Sequence, residues 1–125
     1  MDEVKLTLPS TPEFLRLARV TASGLASRMG FTVDEVEDLR LAIDELTFAL
    51  TGSPPPVGTV EMRYRLNGAS LEVEGVGRFN GGVTLPLTLT DLSERILDAL
   101  VDEHELRAEE GVPRFRLVKN RHNTA

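Results

Sequence analysis

The acidic side chains of one predicted helix include Asp38, Asp44 and Glu45, and Glu45 differs from the other two in its surroundings. With about 100° between successive helical residues, its neighbours at helical spacing are all apolar: Leu41, Ala42, Phe48 and Ala49. A carboxyl group partly removed from water takes up a proton more readily, which suits a general base. The alternative is a surface glutamate on a helix with a broad apolar face.

A second candidate site is the Gly-x-Gly segment formed by Gly75 and Gly77. Glycines allow a backbone to approach a phosphate closely, so such a segment is found in nucleotide-binding loops. Two glycines alone are also typical of a bulge or bend at the end of a strand. Both interpretations remain open at the level of sequence.

The composition excludes several classes of protein. The chain has 125 residues, a formal net charge of −6 and no cysteine, so it lacks the basic footprint of a nucleic-acid binder and all thiolate chemistry. Its two histidines, His104 and His122, are far apart in sequence, and we expect no histidine-built metal centre. Neither a signal peptide nor an apolar run that could span a membrane is present, which predicts a cytoplasmic protein.

The acidic excess is concentrated in one segment. Residues 91–110 contain eight acidic and two basic side chains. This predicts an acidic surface that includes Asp98, Asp102 and Glu103. Such a surface attracts a basic protein partner and repels an anionic phosphate.

The elements that position these residues follow from the hydrophobic periodicity. Helices are predicted from Thr11 to Gly30, from Thr32 to Gly52 and at about 91–103, the second with a Thr32–Glu35 capping box. Strands are predicted at 4–8, 59–66, 104–109 and 114–119. After an Asn67-Gly68 hairpin turn, a further strand carries residues 71–74 into the segment 75–79, and a loop continues from there to about Leu89. The order β-α-α-β-β-α-β-β predicts a two-layer α+β (α/β) sandwich, in which a mixed, mostly antiparallel sheet carries three helices on one face. We expect one domain over residues 1–120 and a polar tail at 121–125.

The helix sequence DLRLAIDEL, residues 38–46, resembles the nucleotide-binding helix of the anti-sigma-factor serine kinases. These kinases belong to the GHKL, or Bergerat-fold, histidine-kinase-like ATPases. The element order, the hairpin into the Gly-x-Gly segment and the third helix before two closing strands extend the resemblance over most of the chain. It implies a minimal Bergerat fold, ATP and Mg²⁺ as cofactors, and two partners: a sigma factor and a STAS-type antagonist phosphorylated on serine.

Mapped residue by residue, the resemblance implies a degenerate nucleotide site. Glu45 matches the general base of the family, but Ala49 stands where the family has a magnesium-ligating asparagine. Gly75 and Gly77 are retained, whereas Val73 stands where the family has an aspartate that reads the adenine amino group.

The remaining phosphate-binding positions are also altered. The stretch LTLTDL, residues 87–92, has no glycine and contains Asp91, which would repel a phosphate at the start of the third helix. Val112 and Pro113 occupy the region of a family serine or threonine.

We therefore predict an anti-sigma regulatory factor that acts by protein–protein binding, without a cofactor and with weak or no ATP binding. One alternative is an active serine/threonine kinase that uses ATP and Mg²⁺. The other is a non-catalytic structural α+β domain unrelated to sigma regulation. Neither nucleic acid nor membrane is expected as a partner, and the resemblance allows a homodimer.

Overall fold

The computed structural model describes residues 2–81 and 87–122, over which five strands and three helices follow one another in the predicted order. The elements are β1 Asp2–Pro9, α1 Pro12–Arg28, α2 Val33–Thr51, β2 Gly58–Asn67, β3 Ser70–Phe79, α3 Asp91–Leu100, β4 Glu103–Glu109 and β5 Val112–Asn120. The loop predicted between Phe79 and Leu89 lies largely outside the described residues.

The five strands form one sheet in the order β1-β2-β3-β5-β4, and all four neighbouring pairs are antiparallel. Alternation along β2 buries Val60, Met62 and Tyr64 under the helices. The hydroxyl group of Tyr64 donates a hydrogen bond to the carbonyl oxygen of Ala18 at 2.8 Å, which ties α1 to the sheet. The predicted α+β fold, with helices on one face of the sheet, is confirmed, and its sheet is antiparallel throughout these pairs.

The outer face of the sheet carries a network of ion pairs. Arg65 contacts the carboxylates of Glu3, Glu72 and Glu74, with an Nη1–Oε1 distance of 2.7 Å to Glu72. Arg116 Nε lies 2.6 Å from Glu72 Oε2 on the other side. Burial raises the pKa of Glu72, but the hydrogen bonds from Arg65 and Arg116 outweigh it and bring the pKa below its ordinary value.

Glu72→Gln is expected to reduce the loss of stability in acid. Since the pKa of Glu72 is depressed in the folded protein, its ionised form stabilises the fold above about pH 4.5. That contribution, about 1 kcal/mol at most for a partly exposed pair, is lost as the pH falls through the folded-state pKa. Urea unfolding at pH 7 and pH 3 should show a lower free energy of unfolding for the variant than for wild type at pH 7 only. Glu37→Gln, which removes an exposed ion pair with Arg40, serves as the control. If the unfolding free energies of the two variants change equally between pH 7 and pH 3, the stabilising role of ionised Glu72 is contradicted.

Helix α2 begins with the predicted capping box. Thr32 Oγ1 accepts from the N–H of Glu35 at 3.1 Å, and Glu35 Oε1 accepts from the N–H of Thr32 at 2.8 Å. Glu35 Oε2 also accepts from the N–H of His122 at 2.7 Å, which fixes the chain after β5 to this helix. At α1, in contrast, Thr11 occupies the N-cap position without a side-chain cap bond.

Thr32→Ala is expected to lower the free energy of unfolding by about 1 kcal/mol, because it removes the acceptor for an N–H group of the first turn. Thr11→Ala is the matched control, since its hydroxyl caps nothing, and we expect a change of only a few tenths of a kcal/mol. Chemical denaturation of the two variants beside wild type measures both values. Equal losses in the two variants would show that the hydroxyl of Thr32 is not the cause.

Two boundaries differ from the sequence prediction. Asn67 pairs with Ser70, so the central residues of the β2–β3 turn are Gly68 and Ala69 rather than Asn67 and Gly68. Gly68 has a φ of +62°, as the first central residue of a type II′ turn requires. Helix α3 ends at Leu100 instead of 103, because Val101 is already extended, with a φ of −134°.

Candidate functional site

Glu45 lies half-buried on α2 with apolar side chains on both flanks. On one flank, Leu41 and Phe48 are 49% and 64% exposed. On the other, Ala42 is buried and Ala49 is half-buried. The side chains around Glu45 are therefore apolar, as the helical spacing predicts, and one side of this patch lies at the surface.

The carboxylate of Glu45 is held by a residue of α3. Ser93 Oγ donates to Glu45 Oε1 at 2.5 Å, and Thr90 Oγ1 donates to Ser93 Oγ at 3.0 Å. Thr90 Oγ1 also accepts from the N–H of Ser93 and so caps α3. The hydroxyl groups of Thr90 and Ser93 thus form a hydrogen-bonded chain from the start of α3 to Glu45 Oε1, an oxygen atom that a general base would use.

Two further contacts fix α3 at this place. Leu97 is completely buried in the core beneath the helix. At the other end of the helix, Lys119 Nζ donates to the carbonyl oxygen of Leu100 at 2.6 Å. Because α3 is anchored at both its middle and its end, Ser93 is positioned against α2 by the fold.

Gly75 and Gly77 provide room for aromatic rings. A Cβ atom at Gly75 would lie 2.3 Å from Cε2 of Phe115, and one at Gly77 would lie 2.4 Å from Cε2 of Phe79. Gly75 faces Phe115 across the β3–β5 pair, and neither glycine has a positive φ. These contacts explain both glycines as strand residues beside aromatic side chains.

The other positions of the family's nucleotide site are apolar. Val73 is completely buried and belongs to the core. Ala49 lies one helical turn after Glu45 on α2, which packs on β3. Gly77 lines an open cavity of about 340 Å³ with Phe79 and Pro113, and Glu45 is not among the lining residues of that cavity.

The predicted acidic surface is partly neutralised within the chain. Asp102 accepts from the N–H of Asn120 at 2.7 Å, and its other oxygen is 3.1 Å from Nε2 of His122. Glu103 Oε1 lies 3.2 Å from Nη1 of Arg116. Asp98, with a side chain 71% exposed, is the most accessible of the three carboxylates.

A cluster that the sequence did not indicate surrounds His104. Its Nε2 lies 3.0 Å from Glu94 Oε2 and its Nδ1 lies 3.6 Å from Asp98 Oδ1. One ligand atom from each residue lies within 4.8 Å of the others, a spacing that a metal ion can bridge and that an ordinary ion pair also produces. The four-residue separation of Glu94 and Asp98 was the available signal, but their distance to His104 depends on how β4 packs beside α3. The absence of a histidine-built metal centre stays a prediction.

In the described ranges, no helix combines the length and hydrophobicity that crossing a bilayer requires. Protein-family models give no match to the chain. Among solved structures, the RsbU and RsbW domains of a Mycobacterium tuberculosis protein superimpose with a TM-score of 0.70 and 18% identity, covering 96% of this chain and 32% of that one. This likeness establishes a shared fold.

Two named proteins are similar over most of their length. Serine-protein kinase RsbW of Bacillus pumilus is 30% identical over 133 residues, which cover 90% of this chain and 82% of the relative. Serine-protein kinase RsbW of Listeria monocytogenes is 30% identical over 130 residues, which cover 89% and 83%. Similarity at this level over nearly the whole chain shows that the protein belongs to the RsbW family of anti-sigma-factor serine kinases.

Proposed function

We propose that this protein is an anti-sigma regulatory factor that acts by binding other proteins and binds ATP weakly or not at all. Its membership in the RsbW family supports the regulatory role and argues against an unrelated structural domain. The observation that carries the proposal is the bond from Ser93 to Glu45. In a kinase this carboxylate would take up the proton of the substrate hydroxyl group, but here a hydroxyl of the chain itself occupies it.

The residues around the proposed base support weak nucleotide binding. Mg²⁺ requires an octahedral shell of oxygen atoms, and Ala49 offers no side-chain oxygen. Val73 is apolar and completely buried, so it offers no acceptor to the amino group of adenine.

The start of α3 is a poor phosphate site for two reasons. Thr90 Oγ1 already accepts from the N–H of Ser93, one of the groups that an anion would use. The first turn also carries Asp91 and Glu94, whose negative charges cancel the attraction of the helix dipole for an anion.

Isothermal titration with ATP and MgCl₂ tests the nucleotide half of the proposal. We expect no binding heat at ATP concentrations up to about 1 mM, a limit that corresponds to about 4 kcal/mol of binding free energy. Micromolar affinity would overturn this half. The protein-binding part of the proposal is tested separately, by affinity capture.

The partners we propose are a sigma factor and a STAS-type antagonist. Affinity capture from the native host with the tagged protein should recover one of them. Asp98→Lys should weaken capture, because Asp98 is the accessible carboxylate of the acidic surface, whereas Glu37→Lys on α2 should not. Asp102→Lys is less informative, since Asp102 also bonds Asn120. Equal capture by wild type and the Asp98 variant would remove the acidic surface from the proposal.

An active kinase is the second candidate function. The observation that favours it is that Glu45, at the position of the family's general base, lies half-buried on α2 between apolar side chains. Transfer of labelled phosphate from ATP to a captured antagonist would establish this activity, and Glu45→Ala should abolish it. Transfer that persists in Glu45→Ala would assign the base to another residue.

A further inference from the structure

A cavity of about 320 Å³ lies between α1 and α2. Its α2 side includes Asp44 and Thr47, which are about 100° and 160° around the helix axis from Glu45. Phe48 borders both this cavity and the flank of Glu45, but neither Glu45 nor Ser93 lines the cavity. An inference about the cavity therefore does not depend on the proposed function.

Two polar atoms at this cavity lack partners. Thr47 is only 6% exposed, and its Oγ1 has neither accessible surface nor a hydrogen-bond partner among the described residues. The same holds for Nε of Arg19 across the cavity on α1. Buried polar groups in folded proteins are almost always paired, so two unpaired ones at one cavity indicate a missing partner.

The charge of the lining specifies what that partner is. Arg19 Nη1 lies 2.7 Å from Asp44 Oδ2, so this carboxylate is already neutralised. Arg16 also lines the cavity, and it makes no ion pair within residues 2–81 and 87–122. The lining thus has an excess of positive charge, and a guanidinium group donates hydrogen bonds but accepts none. The complementary group is an anionic acceptor, and a carboxylate matches a guanidinium group in shape.

The remaining lining is mostly apolar, with Thr51 and Ser53 as its polar side chains. Its apolar side chains are those of Leu15, Phe48, Pro12 and Pro55. Phe48 is 64% exposed and lies outside the hydrophobic core, so its ring can turn toward solvent and give access to Thr47. A volume of about 320 Å³ is at the small end of ligand cavities.

We propose that the cavity binds a small organic carboxylate with an apolar body. The carboxylate accepts hydrogen bonds from Arg16, Arg19 Nε and Thr47 Oγ1, and the apolar body packs against Leu15 and Phe48. The ligand then supplies the partners that the two buried polar atoms lack.

Titration with phenylacetate, followed by two-dimensional ¹⁵N NMR, tests this proposal on the whole chain. We expect saturable shifts at Arg16, Arg19 and Thr47. Phenylacetamide has the same body without the charge, and we expect at least about tenfold weaker binding, because it leaves the donors without an anionic acceptor. Saturable shifts confined to other residues, equal affinity for the amide, or no shifts up to 10 mM would each overturn the proposal.

Variants identify the groups responsible. Thr47→Val keeps the shape and removes the hydroxyl group, and Arg16→Met removes the charge without breaking the Arg19–Asp44 pair; each should weaken phenylacetate binding by about fivefold or more. Arg28→Met, at the other end of α1, should leave the affinity unchanged. The NMR spectra report whether each variant is folded. Wild-type affinity in both folded cavity variants would overturn the assignment.

Discussion

A methyl group added at Gly75 is expected to lower the free energy of unfolding by about 3 kcal/mol, the upper part of the usual range for overpacking a core. The new Cβ would lie 2.3 Å from Cε2 of Phe115 and 2.8 Å from its Cδ2 and Cζ atoms. Phe115 is 1% exposed, so its ring is enclosed and cannot move into solvent. Chemical denaturation of Gly75→Ala beside wild type measures the loss.

Gly24→Ala provides the matched control for Gly75→Ala. Gly24 is an exposed residue of α1, and outside the local helix backbone no atom of the described residues lies within 4 Å of an added Cβ. Alanine there should raise stability by about 0.5–1 kcal/mol, the ordinary difference in helix propensity.

A double variant separates the steric cause from other effects. Adding Phe115→Leu to Gly75→Ala should cost less than the sum of the two single changes, because a smaller side chain makes room for the methyl group. Additive losses, or a neutral Gly75→Ala, would mean that the ring does not require this glycine. The interpretation of the Gly-x-Gly segment as a phosphate loop would then regain support.

The predictable part of the fold is the part that local sequence determines. Alternation in β2 and helical spacing in α2 reflect one buried face in each element, and a capping box needs residues only three apart, as Thr32 and Glu35 are. The sequence predicts the hairpin turn one residue too early because Asn-Gly is the commoner turn signal. Pairing of Asn67 with Ser70 extends β2 and β3 by one residue pair and leaves the turn to Gly68 and Ala69.

The candidate site was less predictable because its contacts join distant parts of the chain. Ser93 and Glu45 are 48 residues apart, and no local pattern indicates which hydroxyl of α3 meets which carboxylate of α2. The two glycines illustrate the same limit. Their sequence fits either a phosphate loop or a tight contact, and only the position of Phe115 on the neighbouring strand favours the second.

The hydrogen bond between Ser93 of α3 and Glu45 of α2 depends on the position of a short helix. A single side chain can therefore decide whether this contact forms. Helix α3 has 10 residues, fewer than the roughly 12–15 at which an isolated helix is even marginally stable in water. Leu97 is its buried residue, while Leu92 and Ile96 are exposed by 68% and 36%. The core contact of Leu97, with the bonds of Ser93 and Lys119, therefore holds the helix in place.

Leu97→Ala is expected to lower the free energy of unfolding by about 3 kcal/mol and to loosen α3 before the rest of the protein unfolds. Hydrogen exchange followed by mass spectrometry should show faster exchange in α3 than in β2 and β3, because α3 loses its anchor while the strand pairs keep theirs. Ile96→Ala removes a similar volume from the same helix at a more exposed position and should cost about 1 kcal/mol or less. Ser93→Ala should speed exchange only in the first turn of α3, since Leu97 still holds the helix. Uniform acceleration throughout the chain in Leu97→Ala would contradict this account, because it would mean that α3 opens only when the whole core does.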